Sequence, residues 1–182
     1  MSVSVVIPTL NEGKHIKGCL DSIVAQNVQP LEVLIVDGFS TDNTRQLVES
    51  YKDLMPIKIL DNPKQHRSSG LNIGVAYASG DYVARLDART RIPKDYFEKC
   101  INTLKETGAS NTGGIMVGSP TTKEQEKVSK AMGHRLGTGG ARFRSGGREG
   151  RIESVYPGFF RLEIFTKVGV FDDYSPGGAT PP

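Results

Sequence analysis

Two short apolar runs, Leu31 to Val36 and Tyr82 to Leu86, each end on an acidic turn: Asp37-Gly38-Phe39-Ser40-Thr41-Asp42 after the first, Asp87-Ala88-Arg89 after the second. Runs of this length, rich in β-branched or bulky residues, predict strands buried on both faces of a parallel sheet. Open α/β sheets bind ligands in the crevice beyond the carboxyl ends of their strands. A carboxylate placed there can accept from a nucleotide base or hold a divalent metal against phosphate oxygens.

The elements that must position these acids read as alternating strands and helices. Val3 to Ile7 is a strand stopped by Pro8, and Asn11 is placed as N-cap of a helix from Glu12 to about Gln26. After the second strand, Asp42 opens a helix to about Lys52, where a carboxylate caps the first N–H groups and complements the dipole. Ile57 to Leu60 alternates with Lys58, as suits a strand near the sheet edge. A helix from Arg67 to Ala78 carries Gly70 and Gly74 for close packing and leads to the strand ending at Asp87. Pro93 opens a helix to about Thr107, and Gly113 to Val117 is a further strand. This order implies a parallel sheet with right-handed crossovers.

Beyond Pro120 the pattern weakens. Thr121 to Met132 reads as an amphipathic helix, and Gly133 to Gly150 as a glycine- and arginine-rich flexible loop. Ile152 to Phe160 reads as a strand interrupted at Pro157-Gly158, and Glu163 to Val168 as a short helix. The expected organisation is one domain over residues 1–173 and a Pro/Gly-rich tail over 174–182.

Composition narrows the function classes. With 182 residues, 37% hydrophobic and 24% charged, the chain suits one soluble core, and a net charge of +3 gives no argument for nucleic acid. Cys19 and Cys100 sit within helical apolar patterns with no metal or redox spacing, so they read as small buried hydrophobes in a reducing compartment. His15, His66 and His134 share no ligand spacing, and neither Gly-x-Ser-x-Gly nor a phosphate-cradling Gly-Lys-Thr occurs. No apolar stretch approaches the roughly 20 residues that cross a bilayer, and the N-terminus lacks a signal's basic region. A cytoplasmic protein is expected.

Five blocks in order carry a resemblance. They are Val5-Val6-Ile7-Pro8-Thr9-Leu10-Asn11-Glu12; Glu32-Val33-Leu34-Ile35-Val36-Asp37-Gly38-Phe39-Ser40-Thr41-Asp42-Asn43-Thr44; Gly70-Leu71-Asn72-Ile73-Gly74 with Ala78-Ser79-Gly80-Asp81-Tyr82; Leu86-Asp87-Ala88-Arg89; and Tyr156-Pro157-Gly158-Phe159-Phe160-Arg161 with Val168-Gly169-Val170-Phe171-Asp172. Together they resemble the family-2 glycosyltransferases, most nearly the bacterial exopolysaccharide enzymes of succinoglycan type. The resemblance implies an α/β GT-A fold, with a Rossmann-like, mostly parallel sheet flanked by helices.

It also implies roles. Pro8, Thr9, Asn11 and Glu12 would floor a nucleotide pocket, since N–H groups at a helix N-terminus favour anions. Asp37 with Gly38 would accept from uracil, and Arg67 would reach a phosphate or the base. Asp87 would hold Mg²⁺ or Mn²⁺ on the diphosphate, although Arg89 stands where the family's Asp-x-Asp turn has its second acid.

The implied partners are a UDP-sugar donor and a saccharide or lipid-linked acceptor, with any membrane association peripheral and at the inner face. The implied reaction is inverting sugar transfer in polysaccharide biosynthesis, which needs a general base for the acceptor hydroxyl. The family's base lies beyond the Gly-x-Phe-Asp block, where this sequence has only its tail; Asp172 and Asp173 match residues just before it and are not assigned the role. A catalytically incomplete nucleotide-sugar-binding fragment of the same fold is therefore the alternative. A nucleotidyltransferase is disfavoured, because Pro8-Thr9-Leu10-Asn11-Glu12 occupies the turn where its basic glycine-rich signature would stand.

Overall fold

The computed structural model describes residues 1–118, 123–133, 150–151 and 155–172. In chain order these form β1 (Val3–Thr9), α1 (Ile16–Val24), β2 (Glu32–Asp37), α2 (Thr44–Glu49), β3 (Ile57–Asp61) and α3 (Arg67–Tyr77). They continue with β4 (Tyr82–Arg85), α4 (Tyr96–Thr107), β5 (Asn111–Gly114), α5 (Lys123–Gly133), β6 (Tyr156–Arg161) and α6 (Ile164–Val168). The six strands make one sheet in the order β3-β2-β1-β4-β6-β5.

Side-chain alternation along β1 divides the core into two layers. Val3, Val5 and Ile7 join Val33 and Ile35 in a cluster covered by Leu20 and Ile23 of α1, Val48 of α2, and Phe97 and Leu104 of α4. Val6, Leu34, Val36 and Val83 belong to the opposite cluster, with Leu71 and Val75 of α3 and with Phe171. Close approach of α3 depends on Gly74, where a Cβ would lie 2.2 Å from Val6 Cγ1. Burial on both faces is why β1 and β2 read as largely apolar runs.

β1, β2, β3 and β4 are mutually parallel, and β3 takes the edge as its alternation suggests. The sheet is thus mostly parallel, as expected; its departure is β6, which inserts between β4 and β5 and runs antiparallel to both. Arg161 fastens this insertion: its Nη2 donates to Leu104 O at 2.7 Å and its Nε to Ala109 O at 3.1 Å, around the C-terminus of α4. The fifth strand is also displaced from its expected position. The pairing residues are Asn111–Gly114, whereas the apolar Ile115, Met116 and Val117 lie beyond the ladder and are exposed. Pro157-Gly158 falls inside β6 and does not interrupt it. The expected glycine-rich loop lies, over residues 134–149, outside the described residues, as does the tail from 174. Cys19 and Cys100 are buried and free, and burial pushes both thiols up to about 12.

The end of the sheet remote from the acidic turns is held by Glu32, a buried acid at the start of β2. Its Oε1 accepts from Ser4 Oγ at 2.8 Å, Ser79 N at 2.8 Å and Ser79 Oγ at 2.7 Å, and its Oε2 from Lys58 Nζ at 3.1 Å. One carboxylate thus ties β1, β2, β3 and the α3–β4 turn. Burial pushes this carboxyl up, but the bonds from Ser79, Ser4 and Lys58 outweigh it and hold the group at about 2, against an ordinary 4.5. The native state therefore binds fewer protons than the unfolded one between those values, and the stabilisation present above pH 4.5 is lost as pH falls toward 2. Glu32→Gln is expected to cost on the order of 2–3 kcal/mol at pH 7, with the gap to wild type closing on acidification, as measured by urea unfolding across pH.

Candidate functional site

Because β1 lies between β2 and β4, parallel to both, the loops after these strands emerge together. Thr9 pairs with Asp37 across the β1–β2 ladder, and beyond β4 Leu86 N still donates to Val6 O at 3.0 Å before the chain turns at Asp87. Between the loops lies a cavity of about 410 Å³. The end of β1 contributes Pro8 and Thr9 and the loop after it Glu12, the β3–α3 connection Asn62, Gln65 and His66, the start of α3 Arg67, and the turn after β4 Asp87 and Arg89; Met116 and Tyr156 lie on the same wall. Of the expected nucleotide residues, Pro8, Thr9, Glu12, Arg67 and Asp87 meet on this wall. Asn11, Asp37 and Gly38 do not line it.

Both acids on the wall are paired. Arg67 Nη2 lies 2.5 and 2.7 Å from the two Asp87 oxygens, and the Tyr156 hydroxyl donates to Asp87 Oδ2 at 3.0 Å. Arg89 Nε lies 3.0 and 2.9 Å from the two Glu12 oxygens. The basic residue that breaks the Asp-x-Asp pattern therefore neutralises the acid of the first loop. Beneath them Arg85 sits with its guanidinium 5.4 Å from the Phe171 ring centroid, its pKa pulled down by burial and by the nearby Arg67 while Asp87 opposes. Among the described residues no group of three His, Cys, Asp or Glu side chains gathers into a self-sufficient metal site. A single carboxylate suits a cation held mainly by diphosphate oxygens, the usual pattern for Mg²⁺.

Asp37 is fully buried. Its Oδ1 accepts from Thr9 Oγ1 at 3.2 Å and from the Ser40 hydroxyl; its Oδ2 accepts from Ser40 N at 3.0 Å and Arg45 Nε at 2.6 Å. Arg45 also pairs with Asp61 at the end of β3. Burial pushes the Asp37 carboxyl up, yet the Ser40 hydroxyl, the Arg45 guanidinium and the Ser40 N–H hold it below the usual carboxylate range. Four bonds fill the four acceptor positions of a carboxylate.

Asn11 does not cap α1, which starts at Ile16 after a turn in which Glu12 O accepts from His15 N and Ile16 N. Its backbone is left-handed at φ 53°, and its amide reaches across to the second loop. Asn11 Oδ1 accepts from Thr41 N at 2.8 Å, while Asn11 N donates to Ser40 Oγ at 2.9 Å. Asp42 acts on both loops, its Oδ1 accepting from Thr44 N at 3.0 Å and its Oδ2 from Gly13 N at 3.0 Å. Phe39 and Gln65, at φ 60° and 57°, are the other two left-handed non-glycine residues among those described, so all three fall in loops at the carboxyl ends of β1, β2 and β3. Local strain gathered in this way marks functional loops more often than scaffolding.

Asn62, Gln65, Met116, Tyr156 and the partner role of Arg45 were not among the expected site residues. Asn62-Pro63 was legible only as a strand terminator, and Tyr156 is 69 residues from Asp87 in the chain, beyond the reach of any local pattern.

A family model described as Glycosyl transferase family 2 matches residues 4–169. The succinoglycan biosynthesis protein ExoA of Rhizobium meliloti is 33% identical over 174 residues, covering 93% of this chain and 52% of that protein. Chondroitin synthase of Pasteurella multocida is 34% identical over 100 residues, 54% of this chain and 10% of that protein. Among solved structures, S. aureus TarS 1-349 in complex with UDP superposes with TM-score 0.72 at 22% identity, covering 94% of this chain and 50% of that one. The mannosyltransferase PcManGT from Pyrobaculum calidifontis, in complex with GDP-Man and Mn²⁺, gives 0.71 at 20% identity, with 97% and 49% covered. These likenesses establish the GT-A fold, and the chain spans about half the length of ExoA.

The cross-loop bonds of Asn11 should be measurable in stability. Asn11→Ala is expected to cost about 2 kcal/mol, because alanine loses the acceptor and resists the left-handed backbone, and Asn11→Gly about half as much, since only the acceptor is lost. Urea midpoints of the two variants check this ordering.

Proposed function

The chain belongs to glycosyl transferase family 2, and from that premise we propose that the cavity at the strand ends is the donor site of an inverting glycosyltransferase of polysaccharide biosynthesis, taking a nucleotide sugar, a UDP-sugar by preference. The observation that carries this reading is the meeting of Asp87 and Arg67 with Pro8 and Thr9 in one cavity. The donor-binding unit runs over residues 1–173, with 174–182 outside it.

The chain's own residues divide the work. Arg67 and Arg89 are both partly exposed, and each can turn from its carboxylate to a diphosphate oxygen, a charge-assisted bond of comparable strength. Once Arg67 turns away, Asp87 is the residue that would hold Mg²⁺ or Mn²⁺. A cation there would offset the charge that develops on the departing nucleoside diphosphate. The Tyr156 hydroxyl stays with Asp87 and keeps it oriented. Asp37 and Asn11 act from behind the wall, fixing the first two loops to each other. The acceptor would be a saccharide or a lipid-linked saccharide, met at the membrane surface; no helix among the described residues is long and apolar enough to cross a bilayer.

A second reading, a donor-binding unit whose base lies elsewhere, has its own support. Both wall carboxylates are occupied by arginines, and the described Asp172 is not among the wall residues. Turnover of UDP-sugar in the presence of Mn²⁺ separates the two, because binding without turnover favours the second.

Thermal shift against UDP, CDP, GDP and ADP tests the shared premise. UDP at a hundredfold excess over its Kd is expected to raise Tm by roughly 5 °C, and Mn²⁺ to add to that rise. Asp87→Ala should remove the Mn²⁺ increment and keep the UDP shift, whereas Arg67→Ala should strengthen Mn²⁺ binding without nucleotide, as read by electron paramagnetic resonance of free Mn²⁺.

A further inference from the structure

Arg85 closes β4, two positions before Asp87 and two after Val83, whose face of the sheet it shares. It is partly buried, and its guanidinium lies over the Phe171 ring, 5.4 Å from the centroid. That ring is fixed. Asn72 Nδ2 donates to Phe171 O at 2.7 Å, Phe171 N donates to Asn72 Oδ1 at 2.8 Å, and Phe160 and Phe165 pack against the ring. Held on this flank, Arg85 makes no hydrogen bond or ion pair with any described residue. Its nitrogens are not sealed in, because the one buried side-chain nitrogen or oxygen without a partner among the described residues is Asn62 Oδ1. The Arg85 guanidinium therefore meets solvent with its N–H donors unspent. That solvent lies outside the donor cavity, whose wall includes Arg67 and Asp87 but not Arg85.

Charge points the same way. Burial and the Arg67 cation both disfavour the charge on Arg85, while Asp87, the nearby acid that favours it, is already forked to Arg67. Two arginines thus share one acid. A partly buried cation left in surplus is relieved by an anion, and a guanidinium laid on an aromatic ring keeps its edge for bidentate bonds to phosphate. We propose that Arg85 is a second anion subsite, distinct from that of the donor's diphosphate, and that it takes a phosphate of the acceptor; this rests on the donor-site reading above. The two anions then sit on neighbouring arginines, the donor's on Arg67 and Arg89 and the acceptor's on Arg85. Phe171, clamped by Asn72, holds the receiving fork in place.

Calorimetric titration of the whole chain, saturated with UDP, against inorganic pyrophosphate tests the assignment. Wild type should take up a further pyrophosphate. Arg85→Met, which keeps an apolar stem on Phe171, should weaken that uptake at least about tenfold while UDP affinity stays within about twofold of wild type. Arg85→Lys should fall between them, because it keeps the charge and loses the fork. A variant-free reading comes from NMR of protein carrying isotope-labelled arginine, in which the Arg85 Nε–H signal should shift when pyrophosphate joins the UDP complex. No uptake by the UDP complex at millimolar concentration, equal uptake by Arg85→Met, or an unshifted Arg85 signal overturns the proposal. So does a loss in Arg85→Met that falls as heavily on UDP as on pyrophosphate, which assigns Arg85 to the donor's own diphosphate. Tighter binding of glucuronate than of pyrophosphate overturns the ligand class. UDP binding without a second anion sinks only the Arg85 assignment, whereas failure of wild type to bind UDP, with or without Mn²⁺, sinks the donor-site reading and this inference with it.

Discussion

The parallel pairing of β1 with β2 on one side and β4 on the other is the constraint from which the rest follows. Parallel strands that share a register finish at the same edge, so the loops that leave them have no choice but to face one another. Pro8 and Thr9 end the middle strand, Asp37 ends one neighbour, and Asp87 lies just past the other. The remote edge is fixed as firmly: Glu32 gathers Ser4, Lys58 and Ser79 around one buried carboxylate. A sheet pinned at that end can carry strained loops at the other, because their cost is met by a core that does not move with them.

Charge at the site is balanced group by group. Asp37 meets Arg45, which also meets Asp61; Asp87 meets Arg67; Glu12 meets Arg89. These pairs differ in what they can do next. The Asp37 carboxylate is enclosed, and removing its partner would leave a buried charge uncompensated. Arg67 and Arg89 are held by acids at the cavity surface, where exposed ion pairs contribute little net stability and exchange easily for another anion. The same chemistry is thus structural at depth and available to a ligand at the rim. An anionic ligand would enter by exchanging partners with arginines already in place.

Much of the fold was legible because local patterns were strong. Largely apolar runs ending on acids identified β2 and β4, Lys58 alternation identified an edge strand, and Gly70 and Gly74 marked a helix lying close to the sheet. The misreadings have physical causes. Asn11 carries the residue type of a helix cap, but its left-handed backbone and long-range bonds to the second loop override that local preference. Ile115 to Val117 has strand composition, yet the strand starts two residues before the expected Gly113, at Asn111, and Thr112 meets Phe159. The strand read around Pro157-Gly158 carries no local sign that it inserts between β4 and β5.

The sequence by itself determined the family, the parallel α/β plan and the two acidic turns, since each depends on residues within a few positions of one another. Only the tertiary structure decided which acids reach the cavity and which lie behind it. It brought Tyr156 and Arg67 onto Asp87, turned Arg89 to Glu12, enclosed Asp37 with Thr9, Ser40 and Arg45, and left the oxygen of Asn62 without a partner. The reason is that hydrogen-bond saturation is a property of a place. Its donors arrive from strands and loops far apart in the chain, so no window of sequence records whether an acid or an amide will be satisfied.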